Sequence, residues 1–176
     1  MFFSKPKGPQ VTDVIFLNEN GYLKAIATWM AQNRDGVVAA WFQKEKDHLV
    51  HYFGQEPESR FILAERLVYA HSDNNKPLLF AGHYPLHSVE ISLCESLDLK
   101  QILAYSHLDM ALLQSFGGDR IKELLVKMGA DENEPLSHPM ISKAIGNAQE
   151  KIAKMSPADM HSNSEEDWMK YNQVSK

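Results

Sequence analysis

The feature that most constrains this chain is an alternation. Short, nearly unbroken apolar runs are separated by longer amphipathic or charged stretches. Val11–Leu17 contains Val14-Ile-Phe-Leu17, and Val37–Trp41, Leu78–Ala81 and Gln101–Ser106 are runs of the same kind. Apolar residues at consecutive positions predict strands buried on both faces. Between the first two runs, Leu23, Ile26, Ala27, Met30 and Ala31 recur at helical spacing. They predict a helix over 20–32, capped from Asn18–Gly21 and stopped at Asp35-Gly36. Gln43–Phe53 predicts a charged helix ended by Gly54, and His87–Leu97 a short one. Strands joined through helices run parallel, because a crossover returns the chain to the same end of the sheet. The expected fold is therefore α/β: three layers, about five mostly parallel strands, and a helical C-terminal extension.

The same pattern sets expected boundaries. Residues 1–10 form an irregular arm, since Pro6, Gly8 and Pro9 break regular structure. The α/β domain covers 11–107, and 58–70 is ambiguous: Phe61–Leu63 could open a helix and Leu67–Tyr69 could be a strand. Ser72–Pro77 is a polar loop. A helical extension over 108–155 packs on the domain, with helices at roughly 108–116, 119–129 and 138–154. Residues 156–176 read as a polar, flexible tail.

Composition narrows the functional classes. Eighteen Lys+Arg stand against 23 Asp+Glu, a formal net charge of −5. Nucleic-acid binding is not expected, because it calls for a basic face. The single cysteine, Cys94, permits no internal disulfide and suits a reducing compartment. Met1-Phe-Phe3 is followed by charge and proline, and no window reaches the ~18 apolar residues of a membrane span. The expectation is a cytoplasmic protein with no membrane insertion. There is no Gly-x-x-x-x-Gly-Lys-Ser/Thr and no Gly-x-Gly-x-x-Gly, so neither nucleotide binding nor any other cofactor is expected.

Several residues invite chemistry. His48 and His51, and His83 and His87, have ligand-like spacing. Zinc takes three or four ligands, and no thiol or carboxylate is evidently partnered with them, so no metal is expected. Cys94 lies among Ile91 and Leu93 as a packed thiol. Gly82-His83-Tyr84-Pro85 follows a strand, and ligands of open parallel sheets sit beyond the carboxyl ends of strands. His83 is a candidate general base there, with His87, Glu90 and Asp109 as further polar groups. The same residues also make a sharp strand-to-helix turn. Phe116-Gly117-Gly118-Asp119-Arg120 reads as a helix corner capped by Asp119, or as an anion nest. In Ser164-Glu-Glu-Asp-Trp168-Met-Lys-Tyr171, Ser164 is a helix cap. Trp168 and Tyr171 are candidate partner-binding residues, which could equally dock in cis.

Two blocks in the last third carry a family resemblance. Tyr105-Ser-His-Leu-Asp-Met-Ala-Leu-Leu-Gln-Ser-Phe-Gly-Gly-Asp-Arg-Ile121 resembles the end of the second nucleotide-binding domain of the SecA preprotein translocase ATPase. Glu134-Pro-Leu-Ser-His-Pro-Met-Ile-Ser-Lys-Ala-Ile-Gly-Asn-Ala-Gln-Glu-Lys-Ile152 resembles the entry to that family's scaffold helix. The resemblance covers about 105–154 and implies a RecA/helicase-C-like arrangement of the α/β domain. It does not carry catalysis over. The segment where the family has its arginine finger, His87–Lys100, has no arginine here, and no nucleotide-contacting position maps onto a matching residue. The leading expectation is a non-catalytic, SecA-like protein-interaction domain with a protein partner. The alternative is a small enzyme or nucleotide-binding protein using a strand-end cleft around Gly82–Glu90.

Overall fold

The computed structural model describes residues 9–68, 76–156, 158–172 and 174. Most of the expected arm, and 72–75 of the expected loop, lie outside the described residues. The chain runs β1 (Gln10–Phe16), α1 (Glu19–Gln32), β2 (Val37–Ala40), α2 (Gln43–Tyr52), β3 (Phe61–Leu63), β4 (Leu78–Ala81), α3 (His87–Ser96) and β5 (Gln101–His107). The extension adds α4 (Ala111–Gln114), α5 (Gly118–Lys127), α6 (Pro139–Met155) and α7 (Glu165–Tyr171). The ambiguous stretch resolves as a three-residue strand, Phe61–Leu63, between two single 3₁₀ turns.

The sheet has five strands in the order β1-β5-β4-β2-β3, and every pairing is parallel. Side-chain alternation along each strand feeds two layers. Val38 and Ala40 of β2 and Leu79 of β4 pack with Ile26 and Met30 of α1 and Leu49 of α2. Ala39 and Phe80 point the other way, onto Cys94 and Leu97 of the α3 layer. The fold is thus the expected three-layer α/β arrangement.

A further apolar cluster sits where the extension meets the carboxyl end of the sheet. Leu17, Phe42 and Tyr84 pack with Leu108, Leu112, Ile145, Ile152 and Trp168. The extension also covers the β1 edge. Ile15 and Leu136 exchange backbone hydrogen bonds of 2.9 Å in both directions. That pairing blunts an edge that could otherwise template association. Next to it, Glu132 accepts from Asn18 Nδ2 at 2.8 Å and Asn20 Nδ2 at 3.1 Å. Asn18 is also the N-cap of α1, accepting from the Gly21 amide at 3.0 Å.

Residues 158–172 differ from the loose tail expected of a polar sequence. Ser164 caps α7 by accepting from Asp167 N at 3.1 Å. Trp168 is fully buried, and its indole N–H donates to Asp159 at 2.7 Å. Tyr84 donates to the same carboxylate at 2.5 Å. Asn172 closes the segment by bonding the Met160 amide and carbonyl. One indole offers enough apolar area to dock a segment that is polar elsewhere.

Two glycines make opposite predictions. A Cβ on Gly21 would lie 1.8 Å from the Glu132 carbonyl oxygen. Gly21→Ala is expected to cost roughly 1–3 kcal/mol or more by forcing the extension off α1. Thermal unfolding should read this as a loss of at least about 3 °C. Gly146, inside α6, has open space around the same position. Gly146→Ala is expected to raise stability by about 0.5–1 kcal/mol in the same assay.

Candidate functional site

β4 ends at Ala81, and the φ of +87° at Gly82 swings the chain across the end of the sheet and delivers His83 inward. His83 Nε2 lies 2.9 Å from Asp13 Oδ1 of β1, an ion-pair contact outside hydrogen-bond geometry. His83 Nδ1 lies 2.9 Å from Glu90 Oε1, in the first turn of α3. Glu90 also accepts from the Tyr84 amide at 2.8 Å and from Gln149 Nε2 of α6 at 2.9 Å, and its Oε2 is 3.1 Å from His87 Nδ1. Gln149 donates as well to the Tyr84 carbonyl at 2.8 Å. The side chains of Asp13, His83 and Glu90 are each less than a tenth exposed.

Burial opposes charge on all three groups, but their mutual pairing prevails. His83 is raised above the usual imidazole range because the carboxylates of Glu90 and Asp13 outweigh its desolvation. Against the same burial, His83's charge and the hydrogen bonds from His83, His87 and Gln149 hold Glu90 below the usual range. Asp13 is likewise lowered, its burial outweighed by His83. His87 is raised, chiefly by its hydrogen bond to Glu90. Chemically this is a cationic imidazole held between two anions, with no lone pair on His83 turned toward a substrate. The void beside it, lined in part by His83, His87 and Glu90, measures about 10 Å³. That is no more than the smallest water-sized space.

The structure therefore joins three of the sequence candidates, His83, His87 and Glu90, and separates the fourth. Asp109 lies beyond β5 and pairs with Lys122 at 2.7 Å. It borders a different feature, a cleft of about 500 Å³ between the ends of β2 and β4. The connection after β2 runs to one face of the sheet and that after β4 to the other, so the cleft sits at the topological switch point. Tyr22, Trp41 and Phe42 supply aromatic walls, and Gly82 and His83 form part of the lining. Trp41 is held by an indole bond to the Gly82 carbonyl at 3.1 Å and by stacking on Phe80.

Polar groups the sequence did not single out also line the cleft. Glu45 of α2 accepts from the Glu165 amide at 3.2 Å, and Glu165 accepts from the Ala111 amide at 2.8 Å. Both carboxyls are raised, first by burial, with the neighbouring Glu45 charge adding to the shift at Glu165. His107, at the end of β5, is lowered by burial, and its Nδ1 has no hydrogen-bond partner. Asp13 and His107 were the legible signals: ionisable residues in otherwise apolar strands. Glu45, Glu165 and Gln149 lie in polar or helical stretches where nothing distinguished them.

Other candidates resolve locally. Cys94 is buried and unpaired, and its thiol is pushed up to about 12 by burial and by Glu90 and Glu95. At the Gly-Gly corner the cap is Gly117, with φ +93°, and not Asp119 as expected. Gly118 is required by close approach, since a Cβ there would lie 2.7 Å from the Leu108 carbonyl oxygen. Trp168 docks in cis, whereas Tyr171 is 51% exposed. Among the described residues no group of three or more His, Cys, Asp or Glu is placed to hold a metal ion. Nor is any of their helices long and apolar enough to cross a membrane.

Comparison with known proteins gives a partial match. No family profile matches the chain. A 48-residue stretch is 52% identical to protein translocase subunit SecA of Desulforapulum autotrophicum and 42% identical to that of Sorangium cellulosum. SecA of Solidesulfovibrio magneticus matches over the same length at 44%. The chain carries a SecA-related segment. That segment is 27% of this chain and only 5–6% of each translocase subunit.

The ion cluster sets a pH profile. His83, raised in the folded state, contributes fully below the ordinary imidazole range and ceases to contribute as pH rises through its raised pKa. Glu90, lowered, contributes above the ordinary glutamate range and ceases to contribute as pH falls through its lowered pKa. The cluster's contribution is therefore a plateau spanning neutral pH. Glu90→Gln leaves buried positive charge under-compensated and is expected to cost about 3–5 kcal/mol at pH 7. Urea unfolding of both proteins across the pH range checks the magnitude and the plateau.

Proposed function

We propose that this domain is a non-catalytic protein-interaction module associated with protein translocation in the cytoplasm, and that it docks through α5. The observation that supports this reading is the apolar stripe on that helix. Ile121 and Leu124, with the C-cap residue Met128, follow helical spacing and are 43%, 58% and 74% exposed. A surface helix ordinarily turns such a stripe inward. Here Leu125 packs toward the extension core, while most of the helix's apolar residues face outward. Exposed apolar rows of this kind are how amphipathic helices meet a partner's groove. The stripe begins at Ile121, the last residue of the Phe116–Ile121 motif that carries the SecA resemblance, so a surface for a translocation component is the partner class the reading favours.

The strand-end alternative, a small enzyme or nucleotide binder, is supported by the cleft at Gly82 and His83. Its lining speaks against a nucleotide. It contains no arginine, and its one lysine, Lys44, pairs with Glu166 at 3.3 Å.

A photo-cross-linking residue at Met128 should capture a discrete protein adduct in cells, whereas one at exposed Glu95 of α3 should not. Leu124→Asp should abolish the adduct while leaving the melting temperature within about 2 °C, because Leu124 is mostly in water. An adduct that persists in Leu124→Asp, or none at Met128, overturns the reading. Millimolar ATP or ADP with Mg²⁺ should leave the melting temperature unchanged. A shift of several degrees would favour the alternative.

A further inference from the structure

We propose that the cleft between the ends of β2 and β4 binds a small primary ammonium compound carrying an aromatic or aliphatic body. This is separate from docking through α5, and either can fail without the other.

The cleft has the dimensions of a small-molecule site. Its volume of about 500 Å³ falls within the roughly 300–1,000 Å³ that such sites occupy. Its position at the switch point leaves it open between two diverging connections, where no crossover helix fills it.

An account of its charges leaves two carboxyls without a counter-ion. Glu19 pairs with His48 at 3.0 Å, Asp109 with Lys122 at 2.7 Å, and Glu166 with Lys44 at 3.3 Å. His83 is committed to Asp13 and Glu90. None of the ion pairs among the described residues includes Glu45 or Glu165. These two reach the cleft from α2 and α7 and touch each other through the Glu165 amide. Each is held partly toward its protonated form by burial. A cation placed between them would relieve that penalty.

The orphaned atoms specify the kind of cation. Glu45 Oε2 and His107 Nδ1 are buried and lack hydrogen-bond partners. His107 is 9% exposed and lines the same cleft, against Tyr22 at a ring separation of 5.1 Å. Burial favours its neutral imidazole, whose Nε2-protonated tautomer leaves Nδ1 as an acceptor, with Asp109 Oδ2 3.9 Å away. A primary ammonium brings three N–H donors and no acceptor, which suits carboxylate oxygens and an unfilled imidazole nitrogen. A quaternary ammonium would leave those acceptors empty. The body of the ligand would lie on Trp41, Tyr22 and Phe42, whose faces also attract positive charge.

The test is titration calorimetry of the full chain with 2-phenylethylammonium as the probe. The expected result is saturable one-to-one binding. The neutral isostere 2-phenylethanol should bind at least about tenfold more weakly, as loss of charge-assisted hydrogen bonds implies. Glu45→Gln should weaken the ammonium probe by a similar factor. Its melting temperature shows whether it folds, and Glu165→Gln provides a second variant, since glutamine keeps an acceptor for the Ala111 amide. Amide-proton spectra should place the perturbation on the Trp41 indole N–H. Three results would overturn the proposal: no saturable binding at about 10 mM, equal binding of the alcohol, or undiminished binding in folded Glu45→Gln and Glu165→Gln.

Discussion

The rest of the structure depends on the buried ion cluster at His83. Across the carboxyl end of this sheet, elements distant in sequence need a tie besides the loops that follow each strand. Here that tie is electrostatic. One imidazolium meets Asp13 from the edge strand and Glu90 from α3, and Gln149 fixes the same carboxylate from α6. Three elements distant in sequence, β1, α3 and α6, converge on this cluster. Burying those groups carries a desolvation cost that only mutual pairing offsets, so each element is held in one position relative to the others.

That constraint explains why the extension lies where it does. Gln149 is anchored by Glu90 and by the Tyr84 carbonyl, which sets Ile145 and Ile152 of α6 against Leu108 and Leu112. The chain between α5 and α6 then passes the open edge of β1, where Leu136 pairs with Ile15 and Glu132 meets Asn18 and Asn20. After α6 the chain returns, and Trp168 inserts beside Tyr84 with Asp159 bridging the two polar tips. What stays uncovered follows from the same geometry. α5 lies outside these contacts, with only Gly118 buried, and its apolar stripe is left in water. The switch-point cleft is bordered by α7 through Glu165 but is not filled.

The SecA-related segment acquires a physical meaning in this setting. The family-like residues contain the Gly117-Gly118 corner, where one glycine takes a left-handed conformation and the other permits backbone contact with Leu108. They also contain Gln149 and the buried face of α6. In this chain these residues join the helical extension to the sheet. They say nothing about nucleotide chemistry, which would need residues elsewhere in the domain.

The sequence by itself determined the architecture. Apolar runs at β1, β2, β4 and β5 and the stripe of α1 were legible because burial on two faces, or on one side of a helix, leaves a periodic trace in neighbouring residues. It also located Gly82-His83 and the Gly-Gly corner, because turns restrict residue type locally. Tertiary structure alone decided the partners. Asp13 and Glu90 are 77 residues apart in sequence, and nothing local tells a carboxylate that it will share a histidine. Likewise Glu45 and Glu165 meet only because α2 and α7 border the same cleft. Trp168 was legible as a docking residue for a partner or for its own domain, and the fold decided for the latter. Periodicity reports how a segment faces water, whereas charge pairing and docking depend on which distant segment arrives, and only the folded chain brings those segments together.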